Sequence, residues 1–265
     1  MKISCQEGLA PGATFAEKLA NLEKYGFDGV ELNGSLLQPG PALEERRSAL
    51  KDSRVKPSSI CGGYPCELVH PDRGRRDKCL DAYKYALDIA GEMGMSGPII
   101  VPIFNGNDRV PDLTPFKSRS ELEKDLLIAV LQILAPYAAE RGTSVLLEPL
   151  NRYEANVIPR VEYAADICRT VGKGVLVMAD FFHMHIEQPS TPASLEAIGD
   201  VLGHVHLADN TRQEPGSGDI DFKAGLGALN RVGFAGYGAF ECGLSGPAAE
   251  VLPRSVAYLH RCMEA

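Results

Sequence analysis

The sequence predicts an α/β protein in which eight parallel strands close into a (β/α)8 TIM barrel with helices outside. Three observations carry this. Short apolar segments alternate with amphipathic helical segments eight times along the chain, a pattern that implies a parallel sheet covered by helices. The 265 residues give each unit roughly 30 residues, as in barrels of about 250 residues. No Pro/Gly-rich linker or shift of composition divides the chain, so 1–265 reads as one domain. An open, doubly wound sheet is the runner-up. It calls for a Gly-rich phosphate loop after the first strand, and CQEGLAPG is no GxGxxG.

The first strand is expected over Lys2 to Gln6. Thr14 to Tyr25 follows as a helix, with Phe15, Leu19, Leu22 and Tyr25 on one face. Thr14 and Glu17 form a capping box, and Gly26 is its stop. Gly29 to Asn33 is the second strand, Leu43 to Asp52 a charged helix, and Pro57 to Gly63 the third strand. A long helix runs from Asp72 to Met93 and stops at Gly94. Gly97 to Ile103 (GPIIVPI) is the fourth strand, apolar throughout as for a strand covered on both faces. A helix from Ser120 to Arg141 leads to the fifth strand, Val145 to Leu147. Arg160 to Thr170 is helical and Gly174 to Ala179 is the sixth strand. The next helix, Thr191 to Val201, has Thr191 as cap and Pro192 in its first turn. His204 to Ala208 is the seventh strand, Phe222 to Val232 a helix, Tyr237 to Glu241 the eighth strand, and Pro247 to Cys262 the closing helix.

Composition narrows the function. A net charge of −8 and a pI near 5.3 do not suit a surface that holds nucleic acid phosphates. No tryptophan is present to stack bases. The seven cysteines include no CxxC pair and read as reduced thiols. The N-terminal MKISCQEGLAPG lacks the apolar run of a signal peptide, and nothing approaches a membrane span. The expectation is a cytoplasmic protein acting on a small molecule, with no nucleic acid or membrane partner. A homo-oligomer (dimer or tetramer) is left open.

Chemistry in a barrel gathers where strands end. The last four strands end in Glu148, Asp180, His206 and Glu241, spaced 32, 26 and 35 residues apart. Each spacing is close to one βα unit, so the four should stand at one height around one mouth. Three carboxylates converging there repel one another without a cation between them. An oxygen-rich set with one nitrogen suits Mn²⁺, Mg²⁺ or Co²⁺ better than structural zinc. Singly, each has an ordinary explanation. His206, beside His204, reads as a core histidine, Asp180 as a helix N-cap, and Glu241 as the partner of a surface lysine. Four such coincidences at this spacing are a weaker account than one metal. Near the first four strand ends, Gln6, Glu31, Asn33, Cys61, Gly62 and Asn105 offer substrate contacts, and Glu31 closes its strand as Glu148 does.

EPLNRYE (Glu148 to Glu154), DFFHMHIE (Asp180 to Glu187), HVHLADNTR (His204 to Arg212), PGSGDID (Pro215 to Asp221) and the Phe240–Glu241 pair together resemble the ketose 3-epimerases. That group, which includes the D-tagatose and D-psicose 3-epimerases, lies within the xylose-isomerase-like sugar isomerases and epimerases. The specific motifs cover Ser144 to Ser245. The resemblance implies one divalent metal, commonly manganese, on Glu148, Asp180, His206 and Glu241. It implies Glu148 and Glu241 as the acid/base pair, and Glu154, His183 and Arg212 as substrate contacts. His185 stands where the family often has asparagine. PGSGD looks like a phosphate nest, but similar loops occur with unphosphorylated sugars, so it is read mainly as a tight turn. The expected reaction is proton transfer through a cis-enediolate of a ketose or keto-sugar acid, with epimerisation at C3. Aldose–ketose isomerisation of the hydroxypyruvate or xylose type is the near alternative. A sugar-acid dehydratase, a DNA-repair-type endonuclease and a barrel kept as a ligand sensor stand further off.

Overall fold

The structure is a computed structural model that describes residues 1–264. Its strands are β1 (Lys2–Gln6), β2 (Gly29–Asn33), β3 (Lys56–Cys61), β4 (Ile99–Ile100), β5 (Val145–Leu147), β6 (Val175–Asp180), β7 (Leu202–Leu207) and β8 (Tyr237–Phe240). They pair in parallel in the order β3-β2-β1-β8-β7-β6-β5-β4. The two ends of that order also meet. Ile60 and Pro98 form a parallel bridge, and Ser96 N and Ile60 N donate to Ser58 O and Gly97 O at 2.8 and 3.0 Å. The sheet is therefore a closed eight-stranded barrel, as expected.

Nine helices lie among the described residues. They are α1 (Phe15–Tyr25), α2 (Pro41–Lys51), α3 (Arg73–Met93), α4 (Arg119–Glu140), α5 (Val161–Val171), α6 (Phe181–Glu187), α7 (Thr191–Ala197), α8 (Phe222–Arg231) and α9 (Ala248–Glu264). The capping box on Thr14 and Glu17 forms, and Gly26 closes α1 at φ 89°, a conformation that costs glycine nothing. Among the described residues no helix is long and apolar enough to cross a membrane, and the seven cysteines are free.

Four expectations need correction. The fourth strand shrinks from Gly97–Ile103 to Ile99–Ile100, because Pro98 and Pro102 supply no N–H to a ladder. The helix expected over Thr191–Val201 is α7 followed by a 3₁₀ turn, Gly199–Val201, and its cap is Ser190. A Cβ on Gly199 would lie 2.7 Å from Val232, so close packing selects glycine where the helix breaks. A 3₁₀ turn at Gly34–Leu36 and the short helix α6 were not foreseen.

The main core, between strands and helices, is apolar and buried. Inside the barrel the two halves differ. Ile99, Leu146 and Met178 form an apolar cluster from β4 to β6. Towards β1 and β3 the filling is polar. Ser4 Oγ meets Ser58 Oγ at 2.8 Å across β2, and Ser59, Glu31, His204 and His206 are all buried. Buried polar groups persist where they bond one another, and these lead up to the mouth.

Candidate active site

Glu148 follows β5, Asp180 ends β6, His206 lies one residue before the end of β7, and Glu241 follows β8. One ligand atom from each falls within 4.8 Å of those of the other three. The convergence was expected, but the equal heights were not met. Asp180 pairs with His206 in register, whereas His206 pairs with Ala239, two residues before Glu241. Alternate residues share a face, so Glu241 points to the same side from one step higher, and its longer side chain reaches back.

Asp180 does two things at once. Its Oδ1 accepts from Phe182 N at 2.7 Å and caps α6, while Oδ2 accepts from Arg212 Nη1 at 2.8 Å. The N-cap reading of Asp180 therefore holds, and its second oxygen still faces the cluster. Glu241 takes an arm of Arg212 through Oε2, which also lies 3.1 Å from His206 Nδ1. The Arg212 guanidinium packs 4.6 Å from the Phe182 ring, and its backbone sits at φ 57°, a region a non-glycine residue enters only under local constraint.

The electrostatics test whether the cluster suits a cation. Burial and the nearby Glu241 push the Glu148 carboxyl well above its ordinary 4.5. Burial also acts to raise Glu241, but His206 and Arg212 outweigh it and hold that carboxyl down at about 2. Burial disfavours charge on His206, yet Glu31 and Glu241 raise it well above the usual histidine range. Three carboxylates share the Arg212 guanidinium and the His206 ring, which also serves Glu31, and Glu148 is still driven toward its neutral form. A divalent cation would relieve that imbalance, and three oxygen donors with one imidazole are the donor set it takes. The residues present fit a metal.

The expected substrate contacts border the same space, a cavity of about 330 Å³ lined by Glu148, Glu154, His183, Arg212 and Glu241 and walled by Tyr64, Tyr83, Val101, Phe104 and Leu150. His183 is buried on α6, with Nε2 3.8 Å from Glu148 and 3.6 Å from Asp180. Its Nδ1 meets Asn151 Nδ2 at 2.7 Å, and Asn151 Nδ2 donates to Glu154 Oε1 at 2.8 Å. Asn151 was missed as a site residue, although it stands three residues before Glu154. His185 is outside, 3.7 Å from Asp219. Asn105 holds the loop after β5 by donating to the carbonyls of Glu154 and Arg152. Asn33 caps the 3₁₀ turn. Gln6 and Glu31 turn inward, with Gln6 Nε2 donating to Glu31 Oε1 at 3.0 Å and Glu241 Oε1 at 3.2 Å. Cys61 Sγ lies 3.3 Å from Glu241 Oε1.

A barrel with this mouth serves many chemistries, so comparison with known proteins decides the family. The family model "Xylose isomerase-like TIM barrel" matches residues 19–262. This chain belongs to the xylose isomerase-like TIM barrel family. Over 266 aligned residues it is 34% identical to the 3-dehydro-D-guloside 4-epimerase of Escherichia coli strain K12, covering 99% of this chain and 100% of that one. The crystal structure of a 3-keto-D-glucoside 4-epimerase from E. coli superposes with a TM-score of 0.88 at 32% identity, covering 99% of this chain and 100% of that chain. A D-psicose 3-epimerase of Enterocloster bolteae is 33% identical, but over 42% of this chain and 37% of its own length. The expected likeness to ketose 3-epimerases thus holds in sequence over part of the chain, while a 4-epimerase matches throughout.

Proposed function

We propose that this chain is a metal-dependent sugar epimerase that inverts the carbon next to a ketone, acting on C4 of a 3-keto glycoside. The observation that carries the reading is the pair Glu148, buried, and Glu241, partly exposed, two carboxylates facing one pocket together with Asp180 and His206. The full-length likeness to a 4-epimerase favours C4 over the C3 expected from the motifs. Both positions are α to a ketone, in a 3-keto or a 2-keto sugar, so the same residues serve either.

In this reading Glu148, Asp180, His206 and Glu241 hold one divalent ion, with Mn²⁺ the first candidate. A metal bound by these residues would supply positive charge to offset the negative charge that develops on the substrate's carbonyl oxygen as the α-proton leaves. The chain's own residues do the rest. Glu241 as its carboxylate takes the proton from one face, and Glu148 delivers one to the other face. The planar enediolate between these steps is shielded by Tyr64, Phe104 and Leu150. Arg212, His183 and Glu154 hold the hydroxyls and limit rotation of the sugar. Proton return to the same face regenerates substrate, and return to the opposite face gives the epimer.

The test is incubation of Mn²⁺-loaded protein in D₂O with 3-keto glycosides, ketohexoses, ketopentoses and keto-sugar acids, followed by proton NMR. Deuterium at C4 of a 3-keto glycoside, with the C4 epimer as product, is the expected result. Exchange at C3 of a free ketose would move the reading to 3-epimerisation. A product that has lost water, or transfer of the carbonyl to the neighbouring carbon, would overturn epimerisation.

A further inference from the structure

We propose that Glu31 is a positioning residue that sets which ring nitrogen of His206 faces the metal cluster, and that Gln6 ties the same carboxylate to Glu241. This rests on the metal-site reading above, but assigns a function to the first half of the barrel that the motifs do not touch.

The geometry is specific. The Glu31 and His206 side chains are both fully buried. His206 Nδ1 lies 3.1 Å from Glu241 Oε2 and 3.9 Å from Asp180 Oδ2, on the cluster side. Its Nε2 lies 3.1 Å from both oxygens of Glu31. A carboxylate only accepts, so the proton between them belongs to Nε2. Nδ1 faces Glu241 Oε2 at the same 3.1 Å, so a cation held by Glu241 and Asp180 would displace the proton on that side and take the Nδ1 lone pair. Glu31 keeps the proton on Nε2 and makes Nδ1 more basic, as carboxylates behind metal-bound histidines do.

Glu31 is itself held from every side. Oε1 accepts from Gln6 Nε2 at 3.0 Å. Oε2 accepts from Ser59 Oγ at 2.6 Å and sits 3.0 Å from His204 Nε2. His204 supports Glu31 and packs edge-on against the His206 ring, centroids 5.5 Å apart. The second arm of Gln6, 3.2 Å from Glu241 Oε1, leaves Glu241 Oε2 turned toward His206 and Arg212. One carboxylate on β2 and one amide on β1 thus orient two groups of the cluster.

A competing assignment is a second metal on Glu31, Cys61 and His206, whose ligand atoms also lie within 4.8 Å of one another. Such an ion would have to break the contacts that His206, Ser59, His204 and Gln6 already make to both Glu31 oxygens. Those contacts favour the single-ion arrangement.

The experiment measures Mn²⁺ binding calorimetrically to wild type and Glu31→Gln, with circular dichroism as the folding check. Expected are one ion per wild-type chain and affinity about 10–100-fold weaker in the variant, with unchanged helix content. Equal affinity in the folded variant overturns the proposal. So does a second ion per chain that disappears in Cys61→Ser. Absence of Mn²⁺ binding to wild type overturns the metal reading and this inference with it. A second measurement needs no variant. In histidine-¹⁵N-labelled wild type, added Mg²⁺ should leave His206 with a proton on Nε2 and none on Nδ1. A proton retained on Nδ1 and lost from Nε2 overturns the proposal even when metal binding itself succeeds.

Discussion

Glu148 concentrates the cost and the use of this site in one side chain. It is buried beside another carboxylate, and its carboxyl is driven well above its ordinary 4.5. In the proposed reaction Glu148→Gln and Glu241→Gln each lower turnover by roughly 10²–10⁴-fold. Loss of substrate α-proton exchange with D₂O measures this, and near-wild-type exchange in either variant would remove the two-carboxylate assignment. The same shift has a consequence for stability. A carboxyl whose folded value is raised binds more protons folded than unfolded across the interval above 4.5, so metal-free protein loses stability as pH rises through that interval. Glu148→Gln removes this dependence. In EDTA it should melt above wild type at pH 8 and close to wild type at pH 4, as followed by circular dichroism. A wild-type advantage at pH 8 would show that the carboxylate is compensated without a metal.

At the scale of elements, the loop between β7 and α8 decides how a glycine-rich stretch is used. PGSGD could have formed a phosphate nest, but three of its amides are already taken, with Ser217 N donating to Glu214 O at 3.2 Å and Asp219 N to Asn210 Oδ1 at 3.3 Å beside the bond from Gly216 N. Asp209, fully buried, accepts from Gly216 N at 2.9 Å through Oδ2 and from Ile220 N at 3.1 Å through Oδ1. Gly218 is required for space, since a Cβ there would lie 2.0 Å from Asn210 Oδ1 and 2.5 Å from Asp209 Oδ1. The stretch is a tight turn organised by a carboxylate. Asp209→Ala strands the buried Ile220 N–H at about 1–3 kcal/mol and leaves the more exposed Gly216 and Asn210 N–H groups to water, so a loss of at least ~1 kcal/mol in urea unfolding is expected. A loss under ~0.5 kcal/mol, typical of an uninvolved surface position, would show that the turn forms without Asp209. The neighbouring element α6 was hidden in the sequence because Phe181 to Glu187 is only seven residues. Such a helix is marginal alone. It forms because Asp180 caps it and because Arg152 pairs with Glu187 at 2.8 Å, a contact visible only once β5 and β6 are adjacent.

The whole molecule couples barrel closure to the cluster. Four strands contribute one charged or ionisable group each to a volume a few ångströms across, so the folded state alone presents the donor set. Binding confined to the folded state stabilises it by about 2.7 kcal/mol at a hundred times Kd, which for a chain of this size is roughly 5–10 °C. Mn²⁺ should raise the melting temperature by about that amount in wild type, and His206→Ala should abolish most of the rise. A melting temperature indifferent to Mn²⁺ would argue against a site built by four strands.

Much of this was determined by the sequence itself. Alternating apolar runs and capped helices specify the barrel, and residues one βα unit apart must converge once strands are parallel and adjacent. Glu148, Asp180, His206 and Glu241 were legible for that reason, as was His183 over His185 through the family motif. Periodicity is a local property and survives in one dimension. The tertiary structure alone decided that the Nδ1 side of His206 faces the cluster, that Glu31 and Gln6 stand behind it, and that Asp209 fills the turn. The first two rest on contacts spanning 175 residues, from His206 to Glu31, and 235 residues, from Gln6 to Glu241. Such contacts arise from closing the sheet between β1 and β8. No pattern along the chain encodes which oxygen meets which nitrogen, because that depends on side-chain packing inside a ring that exists only when folded.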